Sequence, residues 1–235
     1  MMLPRAILFD LDNTLIHRNL GFAAYARQFV IDFRASLGES ETAESVAAVI
    51  MQQDRGGYLP FGSPFTSIKQ AVTVGLANEI AWKDAPSLES ILVHWSDLSP
   101  THVVEMPGAL AVIDGLVERG LAVGIVSNGA ERTRRMAVDA LGIGGAVRSV
   151  LSSERAGVKK PDTRIFAIAA QELGVEPGEC WFVGDHPVND VGGALATGMQ
   201  AVWLKGFHDW PNDRGRPPMS IDSLVELLPL LRSGT

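Results

Sequence analysis

Ala6–Phe9, Leu121–Val126, Val147–Leu151, Cys180–Val183 and Ala201–Leu204 are short apolar runs without the strict alternation of a strand that has one wet face. Such runs form strands covered on both sides. Helical patterns lie between them: Ala109–Arg119 before Gly120, Glu131–Leu141 before Gly142 and Thr163–Leu173 before Gly174. Each glycine is a natural helix stop. Strand and helix in alternation predict a doubly wound α/β fold, a parallel sheet of Rossmann-like form with helical crossovers.

From about residue 17 to 105 that rhythm is missing and the chain reads as helical. Phe22, Tyr25, Phe29, Val30, Phe33 and Leu37 recur at spacings of three and four, a helix face whose plain meaning is core packing. Further helices are expected near 41–53, 65–77 and 87–97, with a Gly- and Pro-containing loop over Asp54–Pro64. The expected organisation is a discontinuous α/β core, 1–16 and 106–235, with a helical domain of 17–105 inserted after the first strand. The stretch 206–219 reads as loop, and a last helix is expected to start near Ser220.

The 235 residues are 46% apolar and 20% charged, enough to bury a substantial core without covalent staples. The net charge of −7 argues against a nucleic-acid partner, which needs a basic surface. It leaves room for an anionic small molecule at a locally positive site. The lone cysteine, Cys180, opens an apolar run and reads as a small buried hydrophobe. No signal peptide and no window of about 18 apolar residues is present, so no membrane partner is expected. A cytoplasmic location fits a chain without cysteine pairs. No sequence feature speaks to the oligomeric state.

Polar residues cluster where the strands end. Asp10 and Asp12 follow the first strand, in Phe9-Asp10-Leu11-Asp12-Asn13-Thr14-Leu15. Alone, such a pair is equally a turn in which Asp and Asn bond nearby amides. Ser127-Asn128-Gly129 closes the second strand just before a helix, either a phosphate seat or a plain cap. Lys159-Lys160-Pro161-Asp162 follows the third strand, and Gly184-Asp185-His186-Pro187-Val188-Asn189-Asp190 follows the fourth. Carboxylate oxygens are the hard ligands that Mg²⁺ takes. Ligands of open α/β sheets bind at the carboxyl ends of the strands. Four successive strand ends would therefore bring aspartates, a hydroxyl and a lysine to one edge.

The segments FDLDNTLI at 9–16, IVSNG at 125–129, GVKKPDTRIF at 157–166 and FVGDHPVNDVGGALATGM at 182–199 resemble the haloacid dehalogenase-like hydrolases, in order and across the whole α/β core. The inserted helices resemble the cap of one branch of that family, which closes over the core and selects the leaving group. The resemblance implies a Mg²⁺-dependent phosphatase acting on a small phosphorylated molecule through an aspartyl-phosphate. Asp10 matches the nucleophile and Asp12 the general acid/base, whose backbone carbonyl also meets the metal. Ser127 and the Gly129 amide, with Asn128 beside them, match the phosphate-binding group. Lys160, which immediately precedes the proline, matches the charge-neutralising lysine. Asp185 matches a metal ligand, and Asp190 a second acidic position that binds metal directly or through water. Asp12 separates this pattern from the dehalogenases of the family, which lack that aspartate. A phosphomutase, or a binding protein on the same scaffold, would share the core residues.

His186 stands where relatives carry Ser or Thr, and is expected either to pack or face solvent, or to lie near the metal. The run Glu131-Arg132-Thr133-Arg134-Arg135 reads as a solvated helix face. His17, His94, His102 and His208 show no metal-ligand spacing.

Overall fold

The computed structural model describes residues 3–231. The chain divides into two compact units, Met1–His17 with Glu105–Thr235, and Arg18–Val104. β1 (Ala6–Phe9) is buried along its whole length, as its four apolar residues require. Beyond it, Ile16 bridges Glu105 in antiparallel fashion, and the Met106 amide donates to the Leu15 carbonyl at 2.9 Å. The points where the chain leaves for the second unit and returns from it are therefore side by side.

The Arg18–Val104 unit holds α1 (Arg18–Asp32), α2 (Ala43–Asp54), α3 (Ile68–Glu79) and α4 (Leu88–Leu98). Thr42, Ser67 and Ser87 cap the last three, each accepting a bond from the amide three residues on. The core of the unit gathers Tyr25, Phe29, Ile50, Leu76 and Ile91. α1 stops at Asp32, earlier than the stripe ending at Leu37 suggests. Phe33 and Leu37 reach the same core through turns, with the Leu37 amide bonded to Phe33 O at 3.0 Å. A polar thread runs through the aromatic cluster. The Tyr25 hydroxyl lies 2.8 Å from His94 Nδ1, and His94 Nε2 lies 3.0 Å from Asp32 Oδ2. Arg18 forks onto buried Asp54 at 2.9 and 2.6 Å.

The other unit continues with α5 (Ala109–Val117), β2 (Ala122–Ser127), α6 (Glu131–Leu141), β3 (Ser149–Ser152), α7 (Ser153–Ala156), α8 (Thr163–Glu172), β4 (Cys180–Gly184), α9 (Gly193–Ala196), β5 (Gln200–Leu204), β6 (Ser220–Ile221) and α10 (Leu227–Leu230). All strands pair in parallel in the order β3-β2-β1-β4-β5-β6. The fold is a doubly wound, Rossmann-like α/β sheet flanked by helices. Ile165, Phe166, Ala169 and Leu173 of the α8 region cover one face together with Leu8, Val126 and Phe182 of the strands. Cys180 lies inside this layer, and burial pushes its thiol up to about 11.

The end of the chain also differs from expectation. Ser220 and Ile221 pair with Trp203 and Leu204 as a sixth strand instead of starting a helix. The capping signal lies three residues later, where Ser223 and Glu226 exchange bonds and turn the chain toward α10. No helix among the described residues is long and apolar enough to cross a membrane.

The chain starts in the middle of the sheet, builds β2 and β3 to one side, then returns past β1 to build β4, β5 and β6 on the other. The order reverses between β1 and β4, and ligand crevices of such sheets open there.

Candidate active site

Parallel register sets the level of the side chains at that crevice. Phe9 is level with Ile125 of β2 and Val183 of β4. Asp10, next on from Phe9, bonds through its amide to Val183 O at 2.9 Å. Asp185 follows the end of β4, and Ser127 ends β2. Asp10, Ser127, Lys160, Asp185 and Asp190 are all buried, at 6, 2, 4, 3 and 1% exposure. Polar groups are not normally sequestered this way unless they are paired or functional.

Lys160 joins three parts of the chain. Its Nζ lies 2.6 Å from Asp10 Oδ1 and 2.7 Å from Asp190 Oδ1. Its backbone is gripped by Asn128, whose Oδ1 accepts from Lys160 N at 2.8 Å while Nδ2 donates to Lys160 O at 3.1 Å. The Asn128 side chain thus fixes the backbone of Lys160 beside the end of β2. The Gly129 amide likewise donates to Ser153 Oγ at 3.0 Å. These three bonds tie the β2 loop to its neighbours and satisfy its partly buried polar groups.

Asp190 belongs to a single widened turn, Pro187–Gly192, after β4. Its Oδ2 accepts from the His186 amide at 2.9 Å. Gly184 makes room for it: a Cβ there would fall 2.5 Å from the Asp190 carboxylate. His186 caps the same turn. Its Nδ1 accepts from the amides of Val188 and Asn189 at 3.1 and 3.2 Å, which leaves the ring proton on Nε2. Its ring also packs 4.4 Å from that of His208.

Two residues discounted in the sequence belong here. His208 Nδ1 lies 2.9 Å from Asp185 Oδ2, and that bond raises the imidazole above its ordinary value. Arg134 Nη1 donates to Asp12 Oδ2 at 2.9 Å, with the arginine side chain 15% exposed. Its neighbour Arg135 is over half exposed and paired to Glu131, so the solvated-face reading holds for it and fails for Arg134. Arg132, Arg134 and Arg135 all fall within the first five residues of α6, so a position opposing the helix dipole does not single out Arg134.

Burial pushes the Asp10 carboxyl up to about 6, against the lowering pull of Lys160 and with help from Asp190. Burial also raises Asp185 and Asp190, opposed by His208 and Lys160 respectively. Burial alone would lower Lys160, but the Asp10 and Asp190 carboxylates overcome it and hold the ammonium well above its ordinary value.

A divalent cation fits this set. Asp10, Asp185 and Asp190 each offer a ligand atom, all within 4.8 Å of one another. Three carboxylates against one ammonium leave two buried negative charges, and the donors are all hard oxygens. Between 3.8 and about 6 the folded protein holds a proton on Asp10 that the unfolded chain has released. In chelator, stability is therefore expected to fall as pH rises through that window. A divalent metal, which needs deprotonated ligands, should raise the melting temperature more at about pH 7.5 than at about pH 5. A metal-induced rise that does not change with pH would refute this charge balance.

A doubly wound α/β protein with buried carboxylates and a lysine at its switch point belongs among the enzymes that work from strand ends. The family model for haloacid dehalogenase-like hydrolases matches residues 4–198, and the chain belongs to that family. It is 29% identical over 85% of its length to a phosphoglycolate phosphatase of Rhodospirillum rubrum, covering 79% of that protein. It is 28% identical to a glyceraldehyde 3-phosphate phosphatase of Methanopyrus kandleri, covering 97% of each chain. The L-2-haloacid dehalogenase of Xanthobacter autotrophicus shares the fold at a TM-score of 0.73, with 20% identity and both chains fully covered.

Proposed function

We propose that the protein is a Mg²⁺-dependent phosphatase that transfers the phosphoryl group of a small phosphorylated metabolite to Asp10 and then to water. What carries this reading is the Lys160 ammonium held between Asp10 and Asp190 at the carboxyl end of β1. That is a buried carboxylate with a cation on it, next to a second aspartate two residues on. The phosphatase names of two relatives support a phosphate ester as substrate.

In the first step an Asp10 oxygen attacks phosphorus in line with the leaving oxygen. The bond from phosphorus to that oxygen breaks, and Asp12 gives it a proton. In the second step a water loses its proton to Asp12 and attacks the aspartyl-phosphate, releasing phosphate and restoring Asp10. Lys160 keeps Asp10 anionic and offsets charge on the transferring oxygens. Ser127 supplies a hydroxyl donor to the phosphoryl group. Asp10, Asp185 and Asp190, with the Asp12 backbone carbonyl, would hold the metal. Bound there, Mg²⁺ shields the negative charge shared by nucleophile and phosphoryl group.

The test is release of inorganic phosphate from an aryl phosphate, with Mg²⁺ and with EDTA. Release that EDTA abolishes and Mg²⁺ restores is expected. Halide release from a 2-haloacid, with no phosphate release from any phosphorylated metabolite of a broad panel, would replace this function with dehalogenation.

A further inference from the structure

Arg134 is the fourth residue of α6, and its guanidinium has two sides in different company. Nη1 is tied to Asp12 Oδ2 at 2.9 Å. The other edge, Nε and Nη2, lies on Gly129, whose φ is +147°. A Cβ at Gly129 would fall 2.5 Å from Nη2 and 2.8 Å from Cζ and would collide with Nε. Nε is buried and, among the described residues, has no hydrogen-bond partner. A buried donor is normally satisfied. The Nε–Nη2 edge is the fork that takes two oxygens of one oxyanion in parallel. Here that fork lies directly on the loop that follows Ser127, and the acid/base candidate Asp12 steadies its far end.

We propose that Arg134 is a substrate-contacting residue whose Nε–Nη2 fork binds oxygens of the phosphoryl group beside Ser127. The inference rests on the phosphatase reading. It gives the site a second permanent cation, set against Asp12 as Lys160 is set against Asp10. Beside it, the Asn128 side chain is bonded to the Lys160 backbone and the Gly129 amide to Ser153 Oγ. Because Arg134 and Gly129 belong to the same compact unit, the grip on the phosphoryl group is independent of the Arg18–Val104 insert.

Equilibrium binding of inorganic phosphate in the presence of Mg²⁺ tests it, on the wild type, Arg134→Met and Arg134→Lys, with melting temperatures recorded for all three. Loss of a charged, bidentate contact should weaken phosphate binding by about 10- to 100-fold in Arg134→Met. Arg134→Lys should not restore it, because an ammonium lacks the fork. KM for an aryl phosphate should rise in parallel, while the Mg²⁺ concentration that half-raises the melting temperature stays as in the wild type. Wild-type phosphate affinity in Arg134→Met, with only kcat reduced, overturns the proposal and makes Arg134 a positioning residue for Asp12. If Arg134→Met does not fold, wild-type affinity in Arg134→Lys overturns it equally. A wild type that neither binds phosphate nor hydrolyses its esters refutes the phosphatase reading as well. A wild type that does both, beside an Arg134→Met that binds phosphate as well, removes this inference alone.

Discussion

Replacing Asp10 with asparagine is expected to lower phosphate-ester hydrolysis by about 10⁴-fold or more, the scale on which losing one member of a concerted catalytic group is felt. The two side chains have nearly the same shape, so the strand end and its bond to Val183 should survive. What is lost is the proposed oxygen nucleophile and the charge that meets Lys160. Stability should not suffer in proportion, because a neutral amide is easier to bury than the carboxylate that burial already pushes up to about 6. The check is a rapid-quench experiment with labelled substrate. Labelled protein should form with the wild type and be absent with Asp10→Asn. Undiminished turnover in the variant would end the covalent mechanism.

Lys160→Met is expected to damage stability as well as rate. Methionine fills similar space but leaves the Asp10 and Asp190 carboxylates buried without their shared cation. Breaking a buried pair from one side typically costs about 3–5 kcal/mol. Lys160 lowers both carboxyls, so its removal raises them further. The penalty should therefore be largest near neutral pH and shrink as acid protonates them. Denaturant melts of both proteins at about pH 5 and about pH 7.5 would show it. An equal loss at the two values would mean that the lysine acts through packing, including its position 5.4 Å from the Phe182 ring centre, and not through charge.

The sheet could be read from the sequence because its strands are covered on both faces. Ala6–Phe9 has no polar position to confuse with a helix or an edge, and the glycines after α6 and α8 mark where each crossover turns back. The strand ends were equally visible, and Asp10, Lys160, Asp185 and Asp190 come together there. β6 was not visible, since two residues are too few to show any period, and its pairing depends on an edge that exists only once β5 is in place. Arg134 and Asp12 are 122 positions apart, so nothing local distinguishes that arginine from Arg135. His208 lies in a loop whose composition says only that it is a loop. The Asn128 side chain had several backbone partners open to it, and the choice of Lys160 is made by the third strand end arriving beside the second.

The paired stem at Leu15–Ile16 and Glu105–Met106 has a consequence for how such a protein diversifies. A long stretch of chain leaves and re-enters the sheet unit through two adjacent backbone positions, so closing it requires nothing from the residues in between. Another helical segment of different length could be grafted at the same two positions without breaking any strand pairing that carries Asp10. The strand ends that carry Asp10 and the sequence of the insert can then change separately.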